Sequence, residues 1–209
     1  MRLFAIATVL TLAACAPEAT ERAEDSASVT AQPSAGSPSA APVQSDPAPI
    51  DTASLTAEGW GPLRIGMSRA EIEAALGADA DSRSVGGPDH EACDQFRPSR
   101  APEGMLVMVE DGRLTRISLM RDVNIATDRG LRLGDGAAKV RAAYGGSIVA
   151  APHAYLSPKG GYLTVWTRGG GDDVRNSAAR GIRYEIGADD RITAIHAGGP
   201  AIQYVEGCL

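Results

Sequence analysis

The sequence predicts an α+β protein: two tandem repeats, each a helix packed on an antiparallel sheet, preceded by a signal peptide and a disordered linker. Three observations support this prediction. They are an internal repeat at a nearly fixed spacing, a strand pattern after each predicted helix, and the composition of the amino-terminal quarter. Together they divide the 209-residue chain into residues 1–14, 15–53, 54–125 and 126–209.

The amino terminus has the pattern of a signal peptide. Arg2 supplies one positive charge, and a nearly uninterrupted apolar run follows from Leu3 to Ala14. A run of this length is too short to cross a bilayer as a stable helix, but it fits the apolar region of a signal peptide.

The residues Leu12-Ala13-Ala14-Cys15 resemble the lipobox of bacterial lipoproteins. In that family the cysteine thiol takes a diacylglycerol and the chain is cut just before it. The resemblance implies that Cys15 is lipidated, begins the mature protein and holds it stably to a membrane through its acyl chains. Ala16 follows the cysteine, which in Gram-negative lipoproteins implies the outer membrane, on either of its faces. An ordinary signal peptide with an incidental cysteine is the alternative.

Residues 15–53 have the composition of a linker. From Pro33 to Pro49, five prolines recur among Ala, Ser, Gln and Gly, and large apolar residues are almost absent. Such a segment cannot bury enough apolar surface to offset the entropy lost on ordering. We therefore expect a disordered tether, with a short helix around Glu18–Ala27 as the alternative.

The folded part contains the internal repeat. Leu63-Arg64-Ile65-Gly66 matches Leu131-Arg132-Leu133-Gly134 at an offset of 68, and Arg113–Ile117 matches Arg191–Ile195 at an offset of 78. Two matches in the same order favour a tandem duplication in which the second copy carries extra residues before its last strand.

Each copy predicts one short helix. In the first copy, Ser68 and Glu71 have the spacing of a capping box, and Ile72, Ala75 and Leu76 share one helix face. The second copy repeats this apolar face with Val140, Ala143 and Tyr144. Helices this short are stable only when the apolar stripe packs on other structure, here a sheet.

Strand patterns follow each helix. In the first copy, Asp111-Gly112 is a two-residue turn signal between Met105–Glu110 and Arg113–Arg121. The second copy has three strand-like segments, Tyr162–Arg168, Gly181–Ile186 and Ile192–Ala197. Each copy alone has a small core, so we expect the two to pack closely or to share one sheet.

This pattern resembles two related groups of bacterial proteins. One is the small lipoproteins of the outer-membrane β-barrel assembly machinery, of the SmpA/OmlA type. The other is the β-lactamase-inhibitor-protein-like fold, a tandem pair of such units. The residues that carry the resemblance are Gly61, Leu63, Ile65, Gly66, Met67, Ser68, Glu71, Ile72, Leu76 and Gly77. This chain departs from the assembly lipoproteins in having two units, and from the inhibitor in having cysteines for only one disulfide.

Cys93 and Cys208 form a pair once Cys15 is assigned to lipid. In an oxidising compartment this pair predicts a disulfide that joins the first copy to the end of the second. The alternative is a metal site at Cys93 with the adjacent Asp89-His90-Glu91. Because consecutive ligands rarely point inward together, we favour the disulfide and predict no metal or cofactor.

No pattern in the chain predicts an enzyme. The sequence lacks the Gly-x-Ser-x-Gly pattern of a serine nucleophile and offers only His90, His153 and His196 as bases. The glycine run at Gly169–Gly171 lacks the lysine of a phosphate-binding loop. The net charge of −6 argues against nucleic acid as a partner.

The aromatic residues indicate a binding surface. Tyr162 and Trp166 lie on one face of a predicted strand, and Tyr155 precedes that strand. If the opposite face, with Leu163 and Val165, meets the helix, the aromatics lie on an open face, where such residues are typical partner anchors. Burial of that face is the alternative.

The sequence thus predicts a lipid-anchored outer-membrane protein that acts as a non-catalytic binding or scaffolding module. It would contact the membrane through the acyl chains on Cys15 and an envelope protein through Tyr155, Tyr162 and Trp166. The alternatives are an inhibitor of an envelope or foreign hydrolase, and a hydrolase that uses His153 or a metal near His90.

Overall fold

The computed structural model describes residues 53–81, 89–171 and 174–208. The described strands are β1 (Gly59–Trp60), β2 (Leu63–Arg64), β3 (Cys93–Phe96), β4 (Met105–Glu110), β5 (Arg113–Met120), β6 (Ile148–Pro152), β7 (Gly161–Arg168), β8 (Arg180–Ile186) and β9 (Ile192–Gly198). The helices are α1 (Arg69–Leu76) and α2 (Ala137–Tyr144), and 3₁₀ turns lie at Gly145–Ser147 and Pro200–Gln203. The predicted signal peptide, Cys15 and almost all of the predicted linker lie outside the described residues.

Seven strands form one antiparallel sheet in the order β3-β4-β5-β9-β8-β7-β6. β5 pairs with β9 at the centre, so strands that precede α2 and strands that follow it belong to the same sheet. β1 and β2 form a separate two-stranded ribbon. The described chain is mixed, with an antiparallel sheet and two helices, which agrees with the α+β prediction at that level. The five predicted strands agree with β4, β5, β7, β8 and β9 to within one residue at each end.

The hairpin between β4 and β5 follows from its turn residues. Asp111 and Gly112 both have positive φ angles, 48° and 71°. Two successive positive φ angles are typical of the tight turn whose twist matches that of the flanking strands. The prediction of a hairpin at this dipeptide is confirmed.

The two helices begin differently. The capping box of α1 is confirmed, because the Ser68 amide donates to Glu71 Oε2 at 2.7 Å while the Glu71 amide donates to Ser68 Oγ at 3.3 Å. α2 begins after Gly136, which supplies no side-chain cap. The α2 amino terminus is instead held to the sheet by main-chain bonds, including Ala137 N to Asp190 O at 2.9 Å.

The apolar core lies between the helices and one face of the sheet. α1 buries Ile72 and Leu76, and α2 buries Ala137 and Val140. The helix-facing strand residues that meet them include Phe96, Ile117, Leu163, Ile182 and Ile195, all of them buried. The predicted helix faces and the inward position of Leu163 are therefore confirmed.

The segments before the two helices are held to the sheet in the same way. Gly66 N donates to Leu114 O at 2.8 Å, and Gly134 N donates to Ile192 O at 2.9 Å. The arginine that precedes each acceptor also donates to the carbonyl of the same glycine, at 3.3 and 2.8 Å. The two glycines are 68 positions apart (134 − 66), and the two acceptor residues are 78 positions apart (192 − 114). These are the two offsets at which the sequence matches itself.

A disulfide joins Cys93, at the start of β3, to Cys208 near the end of the chain, with the Cα atoms 5.5 Å apart. The predicted disulfide is confirmed, and the metal alternative that used Cys93 is excluded. The bond fixes the end of residues 199–208, which we name the strap. Among the described residues, no helix has the length and apolar character needed to cross a membrane.

Candidate functional site

The outer face of the sheet, which lies opposite the helices, is lined by polar side chains. They come from β5, β7, β8 and β9 and comprise Arg116, Ser118, Tyr162, Thr164, Arg183, Glu185 and His196. All of them except Glu185 are buried. Buried polar groups cost free energy unless they are paired, so the partners of these side chains matter. The Nε atoms of Arg116 and Arg183 are buried without a hydrogen-bond partner in the described part of the chain.

A chain of polar contacts crosses three strands at the middle of this face. His196 lies directly opposite Ser118 in the β9–β5 register, with Nδ1 2.8 Å from Ser118 Oγ. Its Nε2 lies 3.8 Å from Glu185 Oε2, and the other carboxylate oxygen lies 3.0 Å from His153 Nε2. With Glu185 ionised, both Nε2 atoms carry protons and Ser118 donates to His196 Nδ1. We name these four side chains the polar chain.

The surroundings fix the protonation of the polar chain. Burial lowers the pKa of His196 to about 4, and the neighbouring Arg116 contributes to that shift, although Glu185 opposes it. The imidazoles of His196 and His153 hold the pKa of Glu185 at about 2. At neutral pH, His196 is therefore neutral and Glu185 is a carboxylate.

Ser118, His196 and Glu185 are the residue types of a hydrolytic triad, but their arrangement does not fit nucleophilic catalysis. Ser118 is only 2% exposed at the centre of the sheet, so a substrate carbonyl has no access to its Oγ. A histidine whose pKa is about 4 is also a weak base at neutral pH. These contacts cross-link β5, β9 and β8.

The strap covers part of the outer face and is held there by two arginines. Arg116 donates to the carbonyls of Ala201 and Tyr204, at 3.2 and 3.0 Å. Arg183 donates to the carbonyl of Gln203 at 2.7 Å. Burial lowers the pKa of Arg116 to about 10, which still leaves its guanidinium charged at neutral pH. The arginines thus satisfy main-chain carbonyls that would otherwise be buried without donors.

Tyr162 lies on the outer face, but the expectation that this face is open at Tyr162 is wrong. Its side chain is 5% exposed. The ring of His153 stacks on it with centroids 5.0 Å apart, and the Arg183 guanidinium lies 3.7 Å from the ring centroid. The cause is the segment 153–160, which we name the β6–β7 loop and which folds back over the strand.

Trp166 is partly buried on the same face. Gly170 and Gly181 leave the space that its ring fills, since a Cβ atom at Gly181 would lie 2.7 Å from a ring carbon. Packing within the chain therefore covers much of the Trp166 side chain.

Tyr155 is the exposed one of the three predicted contact residues. It is 66% exposed, and the adjacent Leu156 is 38% exposed. The base of their loop is fixed, because Tyr155 N donates to His153 Nδ1 at 3.1 Å and Ala154 N donates to the Tyr162 hydroxyl at 3.3 Å. The polar chain thus holds an apolar pair in a defined position at the surface.

The sequence did not point to Leu156, Glu185 or the two buried arginines. Arg116 and Arg183 alternate with core residues in their strands, and by itself such alternation is typical of a sheet face in contact with water. The burial of the two arginines therefore had no signal in the sequence.

The acidic segment before the disulfide is internally paired. His90 Nδ1 lies 2.9 Å from Asp94 Oδ1, and Asp94, which is buried, also pairs with Arg69 of α1. Within residues 53–81, 89–171 and 174–208, no group of three His, Cys, Asp or Glu side chains is arranged to hold a metal ion. Asp94 therefore acts as a link between β3 and α1.

No protein family, curated protein or solved structure matches the chain. The resemblance to assembly lipoproteins and to the inhibitor-like fold stays a prediction carried by Gly61–Gly77. The function is accordingly inferred from the geometry of this chain and from its amino-terminal motif.

We predict that His196 makes the protein less stable in acid. The unfolded chain takes up a proton near pH 6.5, whereas the folded chain does so only near pH 4. The free energy of unfolding should therefore decrease by roughly 3 kcal/mol as the pH falls through this window. Glu185 also adds to the free energy of unfolding above pH 4.5, and this contribution is lost as the pH falls below that value.

Urea unfolding at a series of pH values checks this prediction. The control is His196→Gln, which keeps a polar group beside Ser118 but does not titrate. The variant should lose most of the slope between pH 6.5 and 4. Equal slopes for the two proteins would contradict the assignment.

We also predict opposite outcomes for the two tyrosines. Tyr162→Ala removes a buried ring that packs against His153 and Arg183, so it should lower the free energy of unfolding by about 3 kcal/mol. Tyr155→Ala removes an exposed ring and should change it by less than about 0.5 kcal/mol. Chemical denaturation measures both, and a neutral Tyr162→Ala variant would show that the outer face is not packed in solution.

Proposed function

We propose that this chain is a lipid-anchored protein of the bacterial outer membrane whose folded body binds an envelope protein without catalysing a reaction. The observation that carries the binding proposal is the exposed Tyr155–Leu156 pair on a loop whose base is fixed by His153 and Tyr162. The anchor is proposed from the sequence at Cys15, and the tether from the composition of residues 16–53.

The disulfide supports the export and lipidation parts of the proposal. Structural disulfides persist in oxidising compartments such as the periplasm, which the predicted signal peptide would reach. The chain has three cysteines, and pairing of Cys93 with Cys208 leaves Cys15 as the remaining thiol. That thiol lies where the lipobox-like motif predicts lipid attachment.

The β6–β7 loop supports the binding part. Tyr and Leu side chains at a surface lose exposed apolar area when a partner covers them. A loop that is already ordered loses less conformational entropy on binding than a flexible one. The fixed loop base therefore favours Tyr155 and Leu156 as contact residues.

The pairing of the histidines supports a non-catalytic function. His153 and His196 are buried and both contact Glu185, and His90 contacts Asp94. A general base needs access to a substrate proton, and at His153 and His196 both ring nitrogens already have partners. An inhibitor would also bind its target protein without catalysing a reaction. The two alternatives are distinguished by whether the captured partner is a hydrolase.

We propose in addition that the two halves arose by tandem duplication, and the β5–β9 register supports this. Ser118 faces His196, and their separation of 78 (196 − 118) equals the sequence offset between the copies. The pairs on either side are exchanged about this point, since Ile117 faces Ala197, the equivalent of Leu119, and Leu119 faces Ile195, the equivalent of Ile117. Such a register places equivalent residues about a local two-fold axis.

The anchor is tested by the mass of the mature protein isolated from membranes. We expect an amino-terminal Cys15 that carries the added mass of acyl chains. The Cys15→Ala variant should be recovered in the aqueous fraction after cell breakage. An amino terminus elsewhere without acyl mass would contradict the proposal.

The binding surface is tested by crosslinking in intact cells followed by mass spectrometry. The Tyr155→Ala/Leu156→Ala variant should lose about tenfold or more of the captured partner, because contact aromatics dominate interface energy. Its melting temperature should stay at the wild-type value. Tyr204→Ala, which removes a 45%-exposed ring on the strap, is the matched control and should retain capture. Equal capture by both variants would show that the loop is not the contact surface.

A further inference from the structure

The strand β6 forms one edge of the seven-stranded sheet and pairs only with β7. In an antiparallel edge strand, alternate residues direct their N–H and C=O groups away from the sheet. No hydrogen bond from the rest of the described chain reaches the outer edge of β6. These groups are available to another strand.

The β6 edge lacks the usual protection against pairing. Its sequence, Ile-Val-Ala-Ala-Pro, carries no charge, and Pro152 occupies only its last position. Its pairing with β7 runs without a bulge, whereas bulges interrupt the β4–β5, β7–β8 and β8–β9 pairs. At the opposite end of the sheet, Ala80 N donates to Arg97 O and Ser99 N donates to Ala78 O, just beyond the end of β3. Natural proteins usually block an exposed edge, so an open one indicates a pairing site.

A groove of about 470 Å³ runs between β6 and α2. Its walls include small residues of α2, β6 and the β6–β7 loop, among them Ala137, Ala150, Ala151 and Gly160, and more of its accessible surface is polar than apolar. The side chains of a strand added beside β6 would point alternately into this groove. The groove is shallow and open to solvent, so it suits short side chains, either apolar or hydroxyl-bearing.

Two charged side chains line the groove. Arg141 of α2 lies on one wall, and Asp190 of the β8–β9 turn lies at one end. Neither side chain makes a hydrogen bond or ion pair with another described residue. The Arg141 guanidinium can therefore take a carboxylate from a partner in a charge-assisted bond.

We propose that an extended peptide segment adds to β6 as a further strand, with short side chains in the groove and a carboxylate at Arg141. This inference rests on the proposed function of binding another protein and names the form of the partner segment. A second copy of the chain fits less well, because it would bring a second Arg141 to the same seam. It would also pair through a second Pro152, which has no N–H to donate.

Heptapeptides made from Ala, Val, Thr and Ser test the inference on the full chain with its disulfide intact. Each sequence is prepared as a free acid, as a carboxyl-terminal amide and with alternate amides N-methylated. Selected free acids should slow hydrogen exchange of the β6 amides at Val149–Ala151. The amides should bind about tenfold more weakly, since they lack the charge that pairs with Arg141. The N-methylated peptides should not bind, because they cannot form the strand ladder.

Two variants complete the test. Ala150→Arg places a long side chain at the groove from an exposed position and should abolish binding, whereas Ala142→Arg, on exposed α2 surface outside the groove, should not. Arg141→Gln should make acids and amides bind equally. The inference is overturned if no peptide protects β6, if N-methylated peptides bind as well, or if added protein forms β6-mediated dimers instead. Partner capture that still depends on Tyr155 in those cases would leave the proposed function standing without this inference.

Discussion

The pairing of β5 with β9 is the interaction on which the rest of the structure depends. It joins the strands before α2 to those after it and makes one sheet with one core beneath both helices. A helix of eight residues on three or four strands buries little apolar surface. The shared sheet joins the residues buried by the two helices into one apolar cluster.

The same pairing explains why the outer face is polar and yet closed. Ser118 and His196 meet at the seam, and a histidine beside a serine and a glutamate is stable in a buried site only when each polar atom is paired. The strap and the β6–β7 loop cover this face from two sides. The covered face positions Tyr155 and leaves β6 as an open edge, so the proposed contacts lie at the periphery of the sheet.

Local signals in the sequence predicted the parts of the fold that depend on neighbouring residues. The capping box at Ser68, the turn at Asp111-Gly112 and the apolar helix faces are all set within a few positions along the chain. The disulfide followed from cysteine count and compartment. The short edge strands β3 and β6 were not predicted, because the polar Cys-Asp-Gln-Phe and the unpatterned Ile-Val-Ala-Ala-Pro lack a clear alternation.

Contacts between distant residues account for what the sequence did not reveal. The closure of the outer face depends on Arg116 reaching Tyr204, 88 positions away, and on His153 reaching Glu185, 32 positions away. Neither pair has a local signature. His153, held by Glu185, stacks on Tyr162 and buries it, and it also fixes the base of the loop that exposes Tyr155 and Leu156.

Native-state hydrogen exchange in increasing denaturant tests the central claim, that β5 and β9 unite the chain in one cooperative sheet. If the claim holds, the protected amides of β4 and β5 and those of β8 and β9 exchange through the same global unfolding, with equal free energies and equal denaturant dependence. Two separate unfolding free energies, one for each set of strands, would contradict it.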